Sequence, residues 1–154
     1  MTLDADTTIR ELTARDVALL EAMSAMFADA FDEPDTYTGK PPRRSYLARL
    51  LDDGAFIALA ALREGAVIGG LVAYELRKFE QERSEIYVYD LAVAGPHRRR
   101  GIATALFATL KAIARARGAY VIFVQADRGD EPAIALYDGL GTREEVLHFD
   151  IEPD

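Results

Sequence analysis

The sequence predicts an α/β fold built on one mixed β-sheet flanked by helices, and two stretches carry that reading. From Glu85 to Gln125 an apolar strand segment, a basic turn containing Gly101, an amphipathic helix and a second apolar segment follow one another. Such a strand–helix–strand unit makes its strands parallel neighbours through a right-handed crossover. Earlier in the chain, Ala55 to Leu62 and Ala66 to Leu76 flank the turn Arg63-Glu64-Gly65, which is the pattern of an antiparallel hairpin. A sheet holding both kinds of pair is mixed.

The elements follow in order. Thr7 to Thr13 alternates weakly and reads as a first strand. Arg15 to Phe31 carries Val17, Leu20, Met23, Phe27 and Ala30 at helical spacing. Asp32 to Pro42 holds three prolines and a glycine and reads as a loop. Pro42 then begins a short helix through Tyr46, Leu47, Leu50 and Leu51. After the hairpin, Arg77 to Ser84 is a polar connection and Glu85 to Val93 a strand. Gly101 to Arg117 is a helix with Ile102, Leu106, Leu110 and Ile113 on one face, stopped by Gly118. Ala119 to Gln125 is continuously apolar, as expected of a central strand covered on both faces. Pro132 to Leu140 is a helix ended by Gly141, and Thr142 to Ile151 a final strand. No repeat or interdomain linker interrupts this order, so a single domain over residues 1–154 is expected.

Composition narrows the chemistry. The chain has 154 residues, is 50% hydrophobic and contains no cysteine, which excludes disulfides, a thiolate nucleophile and cysteine-held zinc. With only His97 and His148 available, no metal site is expected. No apolar run is long enough to span a bilayer, and the amino terminus lacks the pattern of a secretory signal, so the expected setting is the cytoplasm. Net charge is −8, but it is unevenly spread. His97 to Arg117 holds six basic residues and no acidic ones, whereas Asp127 to Asp154 holds nine acidic and two basic. The first segment suits an anionic cofactor and the second a cationic substrate. Nucleic acid, which needs a broad basic face, is not an expected partner.

The basic turn is the most informative run. In His97-Arg98-Arg99-Arg100-Gly101-Ile102-Ala103-Thr104, a glycine lets the backbone approach a bulky anion. The unpaired first amides of the helix and its dipole both favour negative charge. This is the composition of a pyrophosphate cradle without a Walker or dinucleotide motif; a solvated basic turn is the other reading. Ligands of parallel sheets sit beyond the carboxyl ends of the strands, which brings Val93 to Ala103 and Asp127 to Glu131 to one end. Asp90 interrupts the apolar strand Ile86 to Val93, and a carboxylate there needs a partner. It is either tied to an arginine for structure or serves as a general base. In a partly dry site its raised pKa would let it take a proton from an amine. Tyr137 shares a helix face with Ala133, Leu136 and Leu140, a packing position with room for a surface hydroxyl. His148 reads as structural and His97 as a loop residue.

Arg98-x-x-Gly101-x-Ala103 after Asp90-Leu91-Ala92-Val93 resembles the acetyl-CoA signature of the GNAT acetyltransferase superfamily, Arg/Gln-x-x-Gly-x-Gly/Ala. Glu131-Pro132-Ala133-Ile134-Ala135-Leu136-Tyr137-Asp138-Gly139-Leu140-Gly141 resembles the late helix of the same family. The resemblance implies the GNAT acyltransferase fold, with two parallel strands splayed to hold acetyl-CoA. It implies cofactor contacts from Leu91, Ala92 and Val93 to the pantetheine arm, and from Arg98, Arg99, Arg100, Gly101, Ile102, Ala103 and Thr104 to the pyrophosphate. It also gives Tyr137 the role of protonating the departing thiolate. Segments such as Arg83-Ser84-Glu85-Ile86-Tyr87, Val124-Gln125-Ala126-Asp127 and Arg143-Glu144-Glu145-Val146-Leu147-His148-Phe149-Asp150-Ile151 narrow it further. From Tyr46 to Ile151 the chain is similar to the small GNAT-type aminoglycoside 3-N-acetyltransferases that act on gentamicin and fortimicin.

The expected acceptor is thus a cationic aminoglycoside, its 3-amino group acetylated to give resistance. Expected acceptor contacts are Asp90, Asp127 and Asp150, followed by Glu131, Asp35 and Tyr37. The alternatives are an N-acetyltransferase of another polyamine or small amine, and a non-catalytic CoA-binding module. A homodimer is the assembly the resemblance allows.

Overall fold

A computed structural model describes residues 2–154. The strands are β1 (Thr7–Glu11), β2 (Phe56–Arg63), β3 (Ala66–Arg77), β4 (Ser84–Val93) and β5 (Ala119–Val124). The helices are α1 (Val17–Phe31), α2 (Pro34–Thr38), α3 (Arg44–Asp52), α4 (Ile102–Arg117) and α5 (Glu131–Leu140). The sheet runs β1-β2-β3-β4-β5. Every pair is antiparallel except β4 with β5, which is parallel. The mixed sheet of the sequence reading is therefore present, crossover included. No helix among the described residues is long and apolar enough to cross a membrane.

Helices cover both faces. α4 packs Ile102, Leu106, Phe107 and Leu110 on Leu59, Leu71, Ile86 and Val88. On the opposite face α1 and α3 pack Met23, Phe27, Leu47 and Leu51 on Ala58, Ala60 and Val72. Double coverage explains why Phe56 to Ala61 is buried at every position. α1 approaches β3 so closely that a Cβ on Gly70 would lie 2.2 Å from Met23 Sδ. Any side chain at position 70 would oblige Met23 to move.

The structure corrects four expectations. Asp32 to Pro42 is not all loop, because Pro34 opens the short helix α2. The next helix begins at Arg44 rather than Pro42. The apolar run of β5, expected at the centre, lies at the sheet edge. Thr142 to Ile151 forms no strand. It is exposed, and a strand exists only where a neighbour takes its backbone hydrogen bonds.

Candidate active site

The site begins with one extra residue. Across β3 and β4, Val72 faces Asp90 but Ala73 faces Val88, so Tyr89 is a β-bulge. A bulge bends its strand and re-aims the side chains beyond it. Val88 packs on the α4 face, whereas Ala92, an even number of residues further on, packs on the α1 face. Without the bulge the two would share a face. The same reversal sends Asp90 towards α1 and α2. The bend also parts the parallel strands: β4 and β5 pair only from Ser84 to Val88 and from Ala119 to Val124. Beyond that point Tyr89 to Val93 has no neighbour on the β5 side, and a cleft of about 390 Å³ opens there.

Asp90 is half-buried in this cleft. Its partner is not an arginine. The Tyr37 hydroxyl, on α2, donates to Asp90 Oδ1 at 2.5 Å. Tyr37 is itself fixed by Phe27 and Phe31, with ring centroids 5.8 and 5.6 Å away, and its carbonyl accepts from Ser24 Oγ at 2.8 Å. Burial pushes the Asp90 carboxyl above its ordinary value; the Tyr37 hydrogen bond works against that, and the nearby Glu33 carboxylate adds to it. The Tyr37 hydroxyl is pushed up in turn by burial and by Asp90, so it remains a donor. A phenylalanine at position 37 removes the one group that favours ionised Asp90. If Asp90 is the base, Tyr37→Phe moves the acid limb of the kcat/KM profile to higher pH, a shift that the acceptor's own ionisation cannot cause. An unmoved limb in a pH series on the folded variant would show that another group titrates.

Tyr137 lines the same cleft from α5. Its ring meets Phe107 edge-on at 5.9 Å. Burial, and secondarily the field of Asp130, raise its hydroxyl to about 12, so it is protonated at neutral pH and able to donate. The rim is acidic: Glu33, Asp127 and Asp130 line the cleft, and Asp130 also caps α5 by accepting from the Ala133 amide at 3.3 Å.

Of the residues singled out in the sequence, the fold gathers Asp90, Leu91, Tyr37, Asp127 and Tyr137 around one cleft. It does not bring Asp35, Glu131 or Asp150 to its wall. Asp35 lies on the exposed side of α2, and Asp150 pairs with His148 at 2.8 Å on the exposed C-terminal segment. Sequence reading missed Phe31, Glu33, Tyr89, Gln125 and Asp130 on the lining. Glu33 and Asp130 each sit one residue before a helix that carries proline in its first two positions, which is the signal that could have placed them near helix ends. Tyr89 depends on the bulge, which has no sequence signature of its own.

One strand-end further on, a single 3₁₀ turn (Gly95–His97) leads into α4. Gly101 precedes the helix with φ 77°, a left-handed conformation open to glycine at little cost. The first intrahelical bond is donated by Ala105 to Gly101 O at 3.0 Å. The amides of Ile102, Ala103 and Thr104 therefore have no helical partner. No side chain caps them, and no acidic residue stands in the first turn. Arg98 Nε holds the Val93 carbonyl at 3.1 Å, joining the turn to the end of β4. Arg98, Arg99 and Arg100 are exposed around it. Free amides, the positive helix end and three arginines fit a pyrophosphate, and the gap beside Leu91 and Val93 fits an extended amide-bearing arm.

Comparison with known proteins bears on this arrangement. No curated protein matches the chain in sequence. Among solved structures, an aminoglycoside acetyltransferase from an uncultured soil metagenomic sample is 62% identical, with a TM-score of 0.94 over 96% of this chain and 99% of that one. A second soil-metagenome aminoglycoside acetyltransferase, solved in complex with sisomicin, is 27% identical, with a TM-score of 0.91 over 99% of this chain and 100% of the other. A ribosomal-protein-alanine N-acetyltransferase from Brucella melitensis biovar Abortus 2308 is also 27% identical, with a TM-score of 0.73 over 95% of this chain and 98% of that one. The family model for GNAT acetyltransferases matches residues 20–142, a span that contains the split strands, the α4 turn and α5. The chain belongs to the GNAT acetyltransferase family.

Proposed function

We propose that the protein transfers the acetyl group of acetyl-CoA to the 3-amino group of an aminoglycoside antibiotic, with Asp90 as general base and Tyr137 as general acid, and so confers resistance. The observation that carries the reading is the pairing of a carboxyl held above its ordinary pKa with a protonated phenol across one acidic cleft. The likeness to two aminoglycoside acetyltransferases supports the acceptor class.

Acetyl-CoA supplies the activated acetyl thioester. The amides of Ile102 to Thr104 and the arginines around them would hold its pyrophosphate, and the free β4 edge at Leu91 to Val93 its pantetheine arm. An aminoglycoside amine arrives as an ammonium ion. Asp90 takes its proton, directly or through one water, and frees the lone pair that attacks the carbonyl carbon. Tyr137 then gives its proton to the sulfur that leaves. The C–N bond forms and the C–S bond breaks; the acylated nitrogen sheds its second proton, which restores the Tyr137 hydroxyl through solvent, and the proton taken by Asp90 returns to solvent. Glu33, Asp127 and Asp130 face the remaining ammonium groups. Tyr89 offers its exposed ring to an apolar sugar face. An acidic rim of this size favours a polycation over the single ammonium of a peptide N-terminus.

The deciding assay is free-thiol release from acetyl-CoA with gentamicin, fortimicin, kanamycin and spermidine, with NMR of the product to locate the new amide. Turnover with gentamicin and fortimicin and acetylation at the 3-amino group are expected. Turnover with spermidine alone would move the protein to the polyamine class, and no turnover with any amine would leave a CoA-binding module.

Salt provides a separate check. The Debye length falls from ~30 Å at ~0.01 M to ~3 Å at ~1 M, so the acceptor KM should rise steeply over that range and the acetyl-CoA KM less steeply. Asp127→Asn should raise the acceptor KM several-fold with kcat little changed, because that residue binds rather than moves a proton. An acceptor KM indifferent both to salt and to this substitution would mean that the acidic rim does not hold the substrate.

A further inference from the structure

The cleft holds one neutral amide whose hydrogen-bonding role is fixed by a neighbour outside it. Gln125 is the first residue past β5 and lines the cleft, across the split from Asp90 on β4. Tyr87, also on β4, does not line the cleft. It faces Phe123 in the parallel ladder and stacks on that ring at 4.6 Å and 10°, and Tyr89 meets it edge-on at 5.5 Å. Side chains two apart in an extended chain share a side, so Gln125 follows Phe123 on the side that Tyr87 occupies. There the Tyr87 hydroxyl donates to Gln125 Oε1 at 2.8 Å. Burial first, then the fields of Tyr89 and Asp90, push that hydroxyl above its ordinary value, so it remains a donor at neutral pH.

A glutamine whose oxygen accepts from a phenol keeps both N–H donors for a ligand. The charged groups around it are all acceptors, the carboxylates of Glu33, Asp90, Asp127 and Asp130. The Tyr37 hydroxyl is already engaged by Asp90, and the Tyr137 hydroxyl faces the leaving sulfur in the proposed reaction. Carboxylates bind ammonium groups, and every polyamine brings those. Protonated spermidine offers N–H donors and methylenes and nothing else. An aminoglycoside carries its amines on carbons beside hydroxyl or ether oxygens, which accept hydrogen bonds. A donor among carboxylates therefore separates two acceptors that the acidic rim treats alike.

We propose that Gln125, positioned by Tyr87, is a specificity residue of the acceptor site: its amide donates to a hydroxyl or ether oxygen beside an amine of the substrate and so selects an aminoglycoside over a polyamine that has no oxygen. The proposal rests on the aminoglycoside reading of the cleft. Gln125 is exposed, so the gain is that of one neutral hydrogen bond, about 2- to 12-fold in affinity. Tyr87 touches no substrate and acts through Gln125. Phe123 holds the phenol, the phenol holds the amide, and rotamer freedom that binding would otherwise remove is absent before the substrate arrives.

Steady-state kinetics on the full chain test this, with gentamicin as substrate and spermidine as competitor. Gln125→Met keeps the side-chain length and removes the donors. It should raise the gentamicin KM about 2- to 12-fold, with kcat and acetyl-CoA affinity kept and the spermidine Ki unchanged. Gln125→Glu still accepts from Tyr87 but puts a carboxylate where the donors were, so the spermidine Ki should fall and the ratio of gentamicin KM to spermidine Ki should rise. Tyr87→Phe keeps the ring stack and should raise the gentamicin KM by a smaller factor. In the Gln125→Met background it should add nothing, because the two act as one unit. A gentamicin KM unmoved by Gln125→Met would overturn the proposal. So would an equal rise in gentamicin KM and spermidine Ki, which would mean that the shape of the cleft and not its donor was lost. Effects of positions 87 and 125 that multiply would overturn the positioning role of Tyr87. An unaltered protein that leaves gentamicin unacetylated would overturn the aminoglycoside reading and this proposal together, whereas the other failures leave that reading standing. If circular dichroism shows that Gln125→Met does not fold, Gln125→Glu and Tyr87→Phe decide.

Discussion

Asp90→Asn should lower kcat by about 10²–10⁴-fold, the usual contribution of a positioned general base, and leave acetyl-CoA affinity near its original value. Asparagine matches aspartate in size and keeps an oxygen to accept from Tyr37, so the cleft retains its shape. What it loses is a site for the proton of the incoming ammonium. If the bulge at Tyr89 exists to present this carboxyl, the loss falls on turnover and not on cofactor binding. Steady-state rates with calorimetry of acetyl-CoA binding separate the two. A variant that keeps most of its rate at neutral pH would make Asp90 a structural residue.

The same substitution should also leave the fold more stable at neutral pH. Burial holds the Asp90 carboxyl above its ordinary value of 3.8 in the folded protein. The folded state therefore binds that proton more tightly than the unfolded chain does, and ionised Asp90 costs stability. The cost is absent below pH 3.8, grows as pH rises from there to the higher folded-state pKa, and is complete above it. Asp90→Asn should thus melt higher than the unaltered protein at pH 7, the gap closing as pH falls towards 3.8. An activity lost while stability rises marks a residue kept for chemistry.

Much of this arrangement was legible in the residues because its signals are local. The spacing of Ile102, Leu106 and Leu110 fixes the face of α4, and Gly101 marks its start. The hairpin turn falls where its sequence places it, at Glu64-Gly65, with left-handed φ of 50° and 80°. What escaped depends on distant partners. Tyr37 was a minor candidate because its hydroxyl meets a residue 53 positions away. Glu33 and Asp130 reach the cleft only once α2 and α5 are docked. β5 lies at the sheet edge and residues 142–151 form no strand, because an apolar or alternating run states what a segment could pair with and not whether a neighbour is there.

Gly101→Asp should abolish measurable acetyl-CoA binding in a protein that still folds. Position 101 has φ 77°, a region costing a non-glycine residue on the order of 1–3 kcal/mol, although aspartate tolerates it better than most. Strain alone is therefore modest, and Gly101→Ala should show it alone, with a small loss of affinity and a few degrees in Tm. Aspartate adds a negative charge at the positive end of α4, beside the unpaired amides of Ile102 to Thr104. Those amides are where a pyrophosphate would gain charge-assisted hydrogen bonds of about 1.5–3 kcal/mol each. The new carboxylate repels that anion and competes for the same donors, while its charge favours the helix itself. Loss of two such bonds corresponds to a Kd increase of about 10²-fold or more. Calorimetry on a variant with normal circular dichroism is the measurement. Near-normal affinity would mean that the cofactor's phosphates lie elsewhere and that the three arginines are a solvated turn. Weak binding in Gly101→Asp but not in Gly101→Ala would assign the effect to charge at the amides and not to the shape of the turn.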